Sequence, residues 1–263
     1  SDKCFIVPNG VTVTQATPTY DNITYSWANV VPVFANSTYR ISSIDNSGVI
    51  NGSTDSIVAN AISGTGNLTQ AGSNTVTLTG GNSYGTTTIN SGATLSLGDG
   101  TTAGTLDSAS AITDNGTLTF NAPANVTYAG VLSGTGVVNK LGTGILTLGN
   151  SSSNSTYSGG TTVNAGTLKA GSSNAPFGTG AVTENSSGGV VIDLNGKTIS
   201  NALTLYSAAT PTVYALTDST GGGTQQTGAV TLGSNVMLGL GASKTMTIAG
   251  AIGSGSAYTL TIN

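Results

Sequence analysis

The chain has 263 residues, among them 39 Gly, 45 Thr and 32 Ser, with six basic and ten acidic side chains and no histidine. A net charge of −4 without any basic cluster argues against nucleic-acid binding, which relies on Lys and Arg at phosphates, and no apolar run is long enough for a helical membrane span. A mean hydropathy of +0.14, carried by regularly recurring Leu, Ile and Val, separates the chain from disordered Gly/Ser/Thr tracts.

Residues 1–60 differ from the rest. They hold the single Trp (Trp27), the single Arg (Arg40), three of the six prolines (Pro8, Pro18, Pro32) and three of the nine tyrosines (Tyr20, Tyr25, Tyr39). So short a segment buries little core alone, so it reads as a cap on the first coil of the remaining chain, or as a subunit contact. Trp27 with Tyr20, Tyr25 and Phe34 is the densest aromatic group and the candidate contact, because aromatic side chains anchor interfaces. Cys4 is the one cysteine, which leaves no intrachain disulfide and no zinc cluster. The start at Ser-Asp-Lys suits a mature product whose leader has been removed, or a fragment of something larger.

From Ile62 to Gly98 the chain reads ISGTGNLTQAGSNTVTLTGGNSYGTTTINSGATLSLG, and from Val131 to Gly171 it repeats the phrase as VLSGTGVVNKLGTGILTLGNSSSNSTYSGGTTVNAGTLKAG. Ser63 recurs as Ser133 and Leu78 as Leu148 at one constant offset, whereas Tyr84 to Tyr157 is longer by three and Asn90 to Asn164 by four. Extra residues therefore enter at Asn150–Ser158, where a loop tolerates them. Short period-two runs recur along the chain, including Val76/Leu78, Leu95/Leu97, Leu118/Phe120, Leu146/Leu148, Val190/Ile192/Leu194, Leu203/Leu205 and Val236/Leu238/Leu240. Each describes a strand with one buried and one wet face, and Asn-Gly, Gly-Gly and Asp-Gly pairs between them form turns.

Such strands could build a sandwich, a barrel or a coil, and the internal repeat favours the coil. The expected fold is all-β: a right-handed parallel β-helix over 61–263 behind a divergent capping or contact segment over 1–60. At about 20 residues per coil this predicts twelve or thirteen coils and a rod near 60 Å. At the far end, Tyr258-Thr-Leu-Thr-Ile-Asn263 is an alternating strand without a following cap, so Tyr258, Leu260 and Ile262 join the candidate subunit contact. A head-to-tail contact that does not close gives a filament.

The phrase GTGVVNKLGTGILTLGNSSSNSTYSGGTTVNAGTLKAG resembles the passenger-associated β-strand repeat of bacterial autotransporters, and Asn174 to Leu205 is similar to its usual continuation. The likeness rests on Gly134, Gly136, Lys140, Gly142, Gly144, Leu146, Leu148, Tyr157, Gly159, Gly160, Thr161, Asn164, Gly166 and Leu168; the earlier copy departs at Gln70, opposite Lys140. The resemblance implies a secreted β-helix displayed at the bacterial surface, acting as scaffold, stalk or adhesin. No outer-membrane barrel and no protease or lipase module accompanies the repeats in these residues.

Chemistry is sparse. Without histidine there is no Ser-His-Asp or Cys-His triad and the commonest metal ligand is missing. Asp107 and Asp114 are the nearest pair for an acid–base reaction on a polysaccharide, although turn placement explains them more simply. Asp99 and Asp193 could join backbone carbonyls around calcium, but the Gly-Gly-x-Gly-x-Asp nonapeptide is absent. The expectation is therefore no catalytic, cofactor-binding or metal-ligating residue and no cofactor. Partners are expected to be further copies of the chain, or glycans or proteins of a host or neighbouring cell. Thr-x-Thr segments such as Thr75-Val-Thr77 and Thr117-Leu-Thr119 leave an ice-binding or glycan-binding face as the alternative, with a polysaccharide-active enzyme behind it.

Overall fold

The structure, a computed structural model, describes residues 33–34, 48–52, 55–58, 61–62, 66–107, 110–149, 154–171, 175–185, 189–207, 213–220, 224–226, 228–240 and 244–263. Among these residues every regular element is a β-strand, and strands stack in parallel, each on the equivalent strand of the previous coil. The chain is a parallel β-solenoid. Three faces enclose one core. The first face stacks six strands, from Val33–Phe34 to Leu132–Ser133; the second stacks ten, from Ser56–Val58 to Ile252–Ser254; the third stacks seven, from Val126–Tyr128 to Leu260–Ile262. Beyond Leu132–Ser133 the first face continues as irregular but bonded backbone. Thr156 N–H donates to Leu132 O at 2.8 Å, Ser158 N–H to Gly134 O at 3.0 Å and Thr179 N–H to Tyr157 O at 2.9 Å.

The second face gives the length of the coil. Thr75 pairs with Thr94, Thr94 with Thr117, Thr117 with Val137, and later Leu203 with Val230, so the coil that starts at Thr75 is short and the one that starts at Leu203 is longer by eight. The ten strands rise about 43 Å at about 4.8 Å per step. This corrects the count of twelve or thirteen: later coils are well longer than the repeat length behind that count, and most of 1–60 lies outside the described residues.

The core follows directly from the period-two pattern. Val76, Leu95, Leu118 and Val138 are registered in one inward column of the second face, and Leu146, Leu168, Ile192, Leu216 and Leu238 in one of the third, all buried. Each such Leu cut back to Ala costs about 2–5 kcal/mol, because like side chains above and below cannot collapse into the gap. Tyr84 and Tyr157, equivalent in the two copies, are buried with their hydroxyls against Thr87 (3.0 Å) and Thr161 (2.6 Å). Burial pushes both phenols far above their ordinary range.

The outward positions of the second face form a polar ladder. From Thr77 to Thr231, eight consecutive coils present Thr, Ser or Asn at the same register, and the next coil presents Gly253. A Cβ on Gly253 would meet nothing within 4 Å. Gly253→Thr is therefore expected to stabilise the last coil by about 0.5–1 kcal/mol, since Thr suits a half-exposed strand and Gly does not. Slower amide exchange over 252–254 checks this; unchanged exchange refutes it.

The two copies of the repeat do not lie over one another. Leu68–Gln70 and Thr75–Leu78 turn the corner from the first face to the second, whereas their equivalents Val138–Lys140 and Ile145–Leu148 turn it from the second to the third. The offset between the copies is thus three coils and one face. The repeated unit is strand, corner, strand, and it serves at either corner.

Candidate functional site

The corner explains a set of polar residues that point inward. Gln70, Asp114, Lys140, Glu184 and Asp218 are all buried, and each ends a strand whose residue two positions earlier is a buried apolar one: Leu68, Ile112, Val138, Val182 and Leu216. At a corner the backbone leaves the ladder, so its N–H and C=O groups need side-chain partners. Gln70 Nε2 donates to Gly72 O (3.2 Å) and Asn74 O (2.9 Å), and Lys140 Nζ donates to Gly142 O and to Ala165 O (3.0 Å). Asp114 accepts from Gly116 N–H (2.9 Å), Asp218 from Gly196 N–H (2.7 Å) and Glu184 from Tyr206 N–H (2.7 Å). Gln70 and Lys140 perform one task in the two copies, so the departure at Gln70 changes the charge and keeps the cap.

Their electrostatics follow from burial. Desolvation raises the Asp114 carboxyl to about 6, against the opposing bond from Gly116, and holds Glu184 well above the carboxylate range. The same cause lowers the Lys140 ammonium to about 8. Asp114 Oδ2 and Glu184 Oε1 have no hydrogen-bond partner among the described residues.

Sequence reasoning did not assign these residues to corners, although apolar-x-polar at a strand end followed by Gly or Asn was the available signal. The period-two pattern places them inward, and their polarity argues against burial until the corner carbonyls and N–H groups are in view.

Of the candidate subunit contact, Trp27, Tyr20 and Tyr25 lie outside the described residues. Phe34 belongs to the short strand on the first face, opposite Gly52. Tyr258 and Ile262 are exposed and Leu260 is half-buried against the core; the strand Leu260–Ile262, which Tyr258 precedes, pairs with Val236–Leu238. The described residues do not bring Phe34 together with this last coil. Asp107 is exposed while Asp114 is sealed in the interior, so these two do not face one another across a groove. Asp99 sits on an exposed turn, whereas Asp193 accepts from Asn195 and Ser219 N–H and pairs with Lys169 at 3.4 Å. No cluster of three or more His, Cys, Asp or Glu side chains occurs among the described residues, and no helix there is long and apolar enough to cross a membrane.

Residues 68–97 and 138–170 match the passenger-associated-transport-repeat family. The chain carries autotransporter passenger repeats. Each matched passenger repeat begins on a strand–corner–strand unit of the solenoid, at Leu68 or at Val138, and runs to the end of a later strand, at Leu97 or at Ala170. The chain is also 38% identical over 139 residues to the adhesin BmaC autotransporter of Brucella suis biovar 1 (strain 1330); this covers 53% of the chain and 3% of that protein. The chain thus spans only a small part of the length of this relative. No solved structure matches the chain.

Proposed function

We propose that the chain is a structural stretch of an extracellular passenger on a bacterial surface, acting without catalysis as the rigid rod that carries or forms an adhesive surface. The observation that supports this reading most is a continuous parallel ladder through ten stacked strands, built from passenger repeats. A rod of this kind resists bending and proteolysis because each coil is bonded on both sides and apolar columns run through the interior between the capped corners. The adhesin relative supports a surface role. Contacts with further copies in a head-to-tail array, or with glycans and proteins of another cell, belong to the same proposal.

Two measurements test it. Fused ahead of an outer-membrane barrel and expressed in a bacterium, the chain is expected to reach antibody on intact cells and to appear as thin rods by electron microscopy; retention inside the cell, or globular particles, would count against it. In solution, native trypsin is expected to act slowly at Lys140, which is buried, and at Lys169, which is held by Asp193 and Ser219. Rapid cleavage after Lys140 in the folded chain contradicts the rod.

A further inference from the structure

One coil of the solenoid is wider than the one before it, and the excess makes a groove. The step from Thr94 to Thr117 is longer by four than the step from Thr75 to Thr94. The extra residues leave the second face at Gly98 as an overhanging turn. Gly98 N–H donates to Leu78 O of the preceding coil at 2.8 Å, and Gly100 N–H donates to Asn121 O of the following one at 2.9 Å, so the turn is pinned across three coils. Gly98 has φ +92°, and a Cβ there would stand 2.4 Å from Asn121 O; no other residue fits. Between this turn and the exposed Leu141 lies a recess of about 350 Å³, floored by Thr75, Thr77, Thr94 and Thr119.

The chemistry of the recess is narrow. More of its exposed lining is apolar than polar: the Thr side chains of successive rungs present hydroxyls and methyls, Asn121 adds an amide at the edge, and Leu141 is an apolar wall. Among the described residues the one charged group in its lining is Asp99, which stays ionised: hydrogen bonds from Thr102 and Thr101 to its Oδ1 hold it below the ordinary carboxylate range. No cation from the described residues joins that lining, so an anionic ligand would meet an unopposed carboxylate. Hydroxyl and amide groups both donate and accept, which suits a ligand that is itself densely hydroxylated and uncharged. Rungs recur at about 4.8 Å, close to the rise of one unit in an extended pyranose chain, and a ring edge of such a chain can rest on Leu141.

We propose that the recess under the Gly98–Thr102 turn binds a neutral oligosaccharide, laid along the solenoid axis with successive sugar hydroxyls on successive rungs. The site rests on the glycan contact proposed above and gives it a place on the solenoid; it needs no other part of a longer protein, so its failure would leave the rod and its surface display standing. The purified chain would be titrated with neutral β-linked gluco-oligosaccharides of four to six units and with a sulfated counterpart, reading amide shifts in a heteronuclear NMR spectrum. The expected result is millimolar binding of the neutral series, with shifts at Thr77, Ser96, Thr119 and Asn121 and none for the sulfated sugar. Thr77→Val with Thr119→Val should weaken binding at least tenfold, while Thr204→Val with Thr231→Val, on the same ladder beyond the recess, should leave it unchanged. Leu141→Glu, at an exposed position that the fold tolerates, should cause the same loss without touching the floor. Absence of shifts at tens of millimolar sugar, equal binding of the sulfated chain, or indifference to Leu141→Glu overturns the proposal.

Discussion

Asp114→Asn is expected to stabilise the solenoid by about 2 kcal/mol at pH 8 and to leave it unchanged below pH 4. Asp114 has no solvent exposure, and its carboxyl is raised from 3.8 to about 6, chiefly by desolvation. A carboxyl whose folded value lies above its unfolded one contributes stability that is fully present below the unfolded value and is lost as pH rises through the folded one. About two units correspond to about 3 kcal/mol, discounted here for relaxation of the site. Asn keeps an acceptor for Gly116 N–H and has no charge to desolvate. Glu184 acts in the same direction, its carboxyl held high by burial and only partly opposed by Tyr206 N–H. Lys140 has the opposite sign: burial lowers its ammonium to about 8, so its penalty is present below that value and is relieved as pH rises towards the unfolded one. The wild-type chain should therefore lose stability from pH 4 to neutrality and recover part of it above pH 8. Thermal unfolding of both chains across this range checks the sign, and a wild-type midpoint that rises steadily from pH 4 to 7 would show that these carboxyls are not buried as described.

Gly142→Ala should cost about 3 kcal/mol or more and open the corner at Lys140. A Cβ at Gly142 would stand 2.0 Å from Ala122 O and 2.4 Å from Ala122 N of the preceding coil, where no side chain can yield because the obstruction is backbone. The coils would have to part, breaking the Gly142 and Gly144 N–H contacts to Phe120 O and Ala122 O, and with them the carbonyl that Lys140 caps. Gly253→Ala is the matched control, since its Cβ meets nothing. Guanidinium unfolding should separate the two variants clearly; equal midpoints would mean that the coil spacing is not set by glycine at the corners.

Much of this was legible beforehand. The alternation of Val76/Leu78 or Leu146/Leu148 names the inward residues correctly because a pleated strand has a period of two wherever it lies. The repeat revealed stacked coils, and its variable spacing placed extra residues between strands. The interior polar residues were missed because Gln70 or Lys140 can be buried only where corner carbonyls accept their hydrogen bonds, and those carbonyls belong to backbone geometry. Asp107 and Asp114 illustrate the same limit. Close together in the chain, they read as a pair, yet Asp107 precedes the strand on the surface and Asp114 ends it on the inside.

Local pattern alone determined that this chain is strands and turns, which side of each strand is apolar, and that the phrases around Gln70 and Lys140 are two copies of one repeat. Which face each copy occupies was decided only in the tertiary structure. The phrase encodes a strand, a turn and a strand, and those have the same local geometry at every corner of a three-sided coil. Position around the axis is set by how many corners separate the two copies; the few extra residues between Thr94 and Thr117 leave Thr117 stacked on Thr94 and bulge outward as a turn, which sets where the outer ladder widens into a recess.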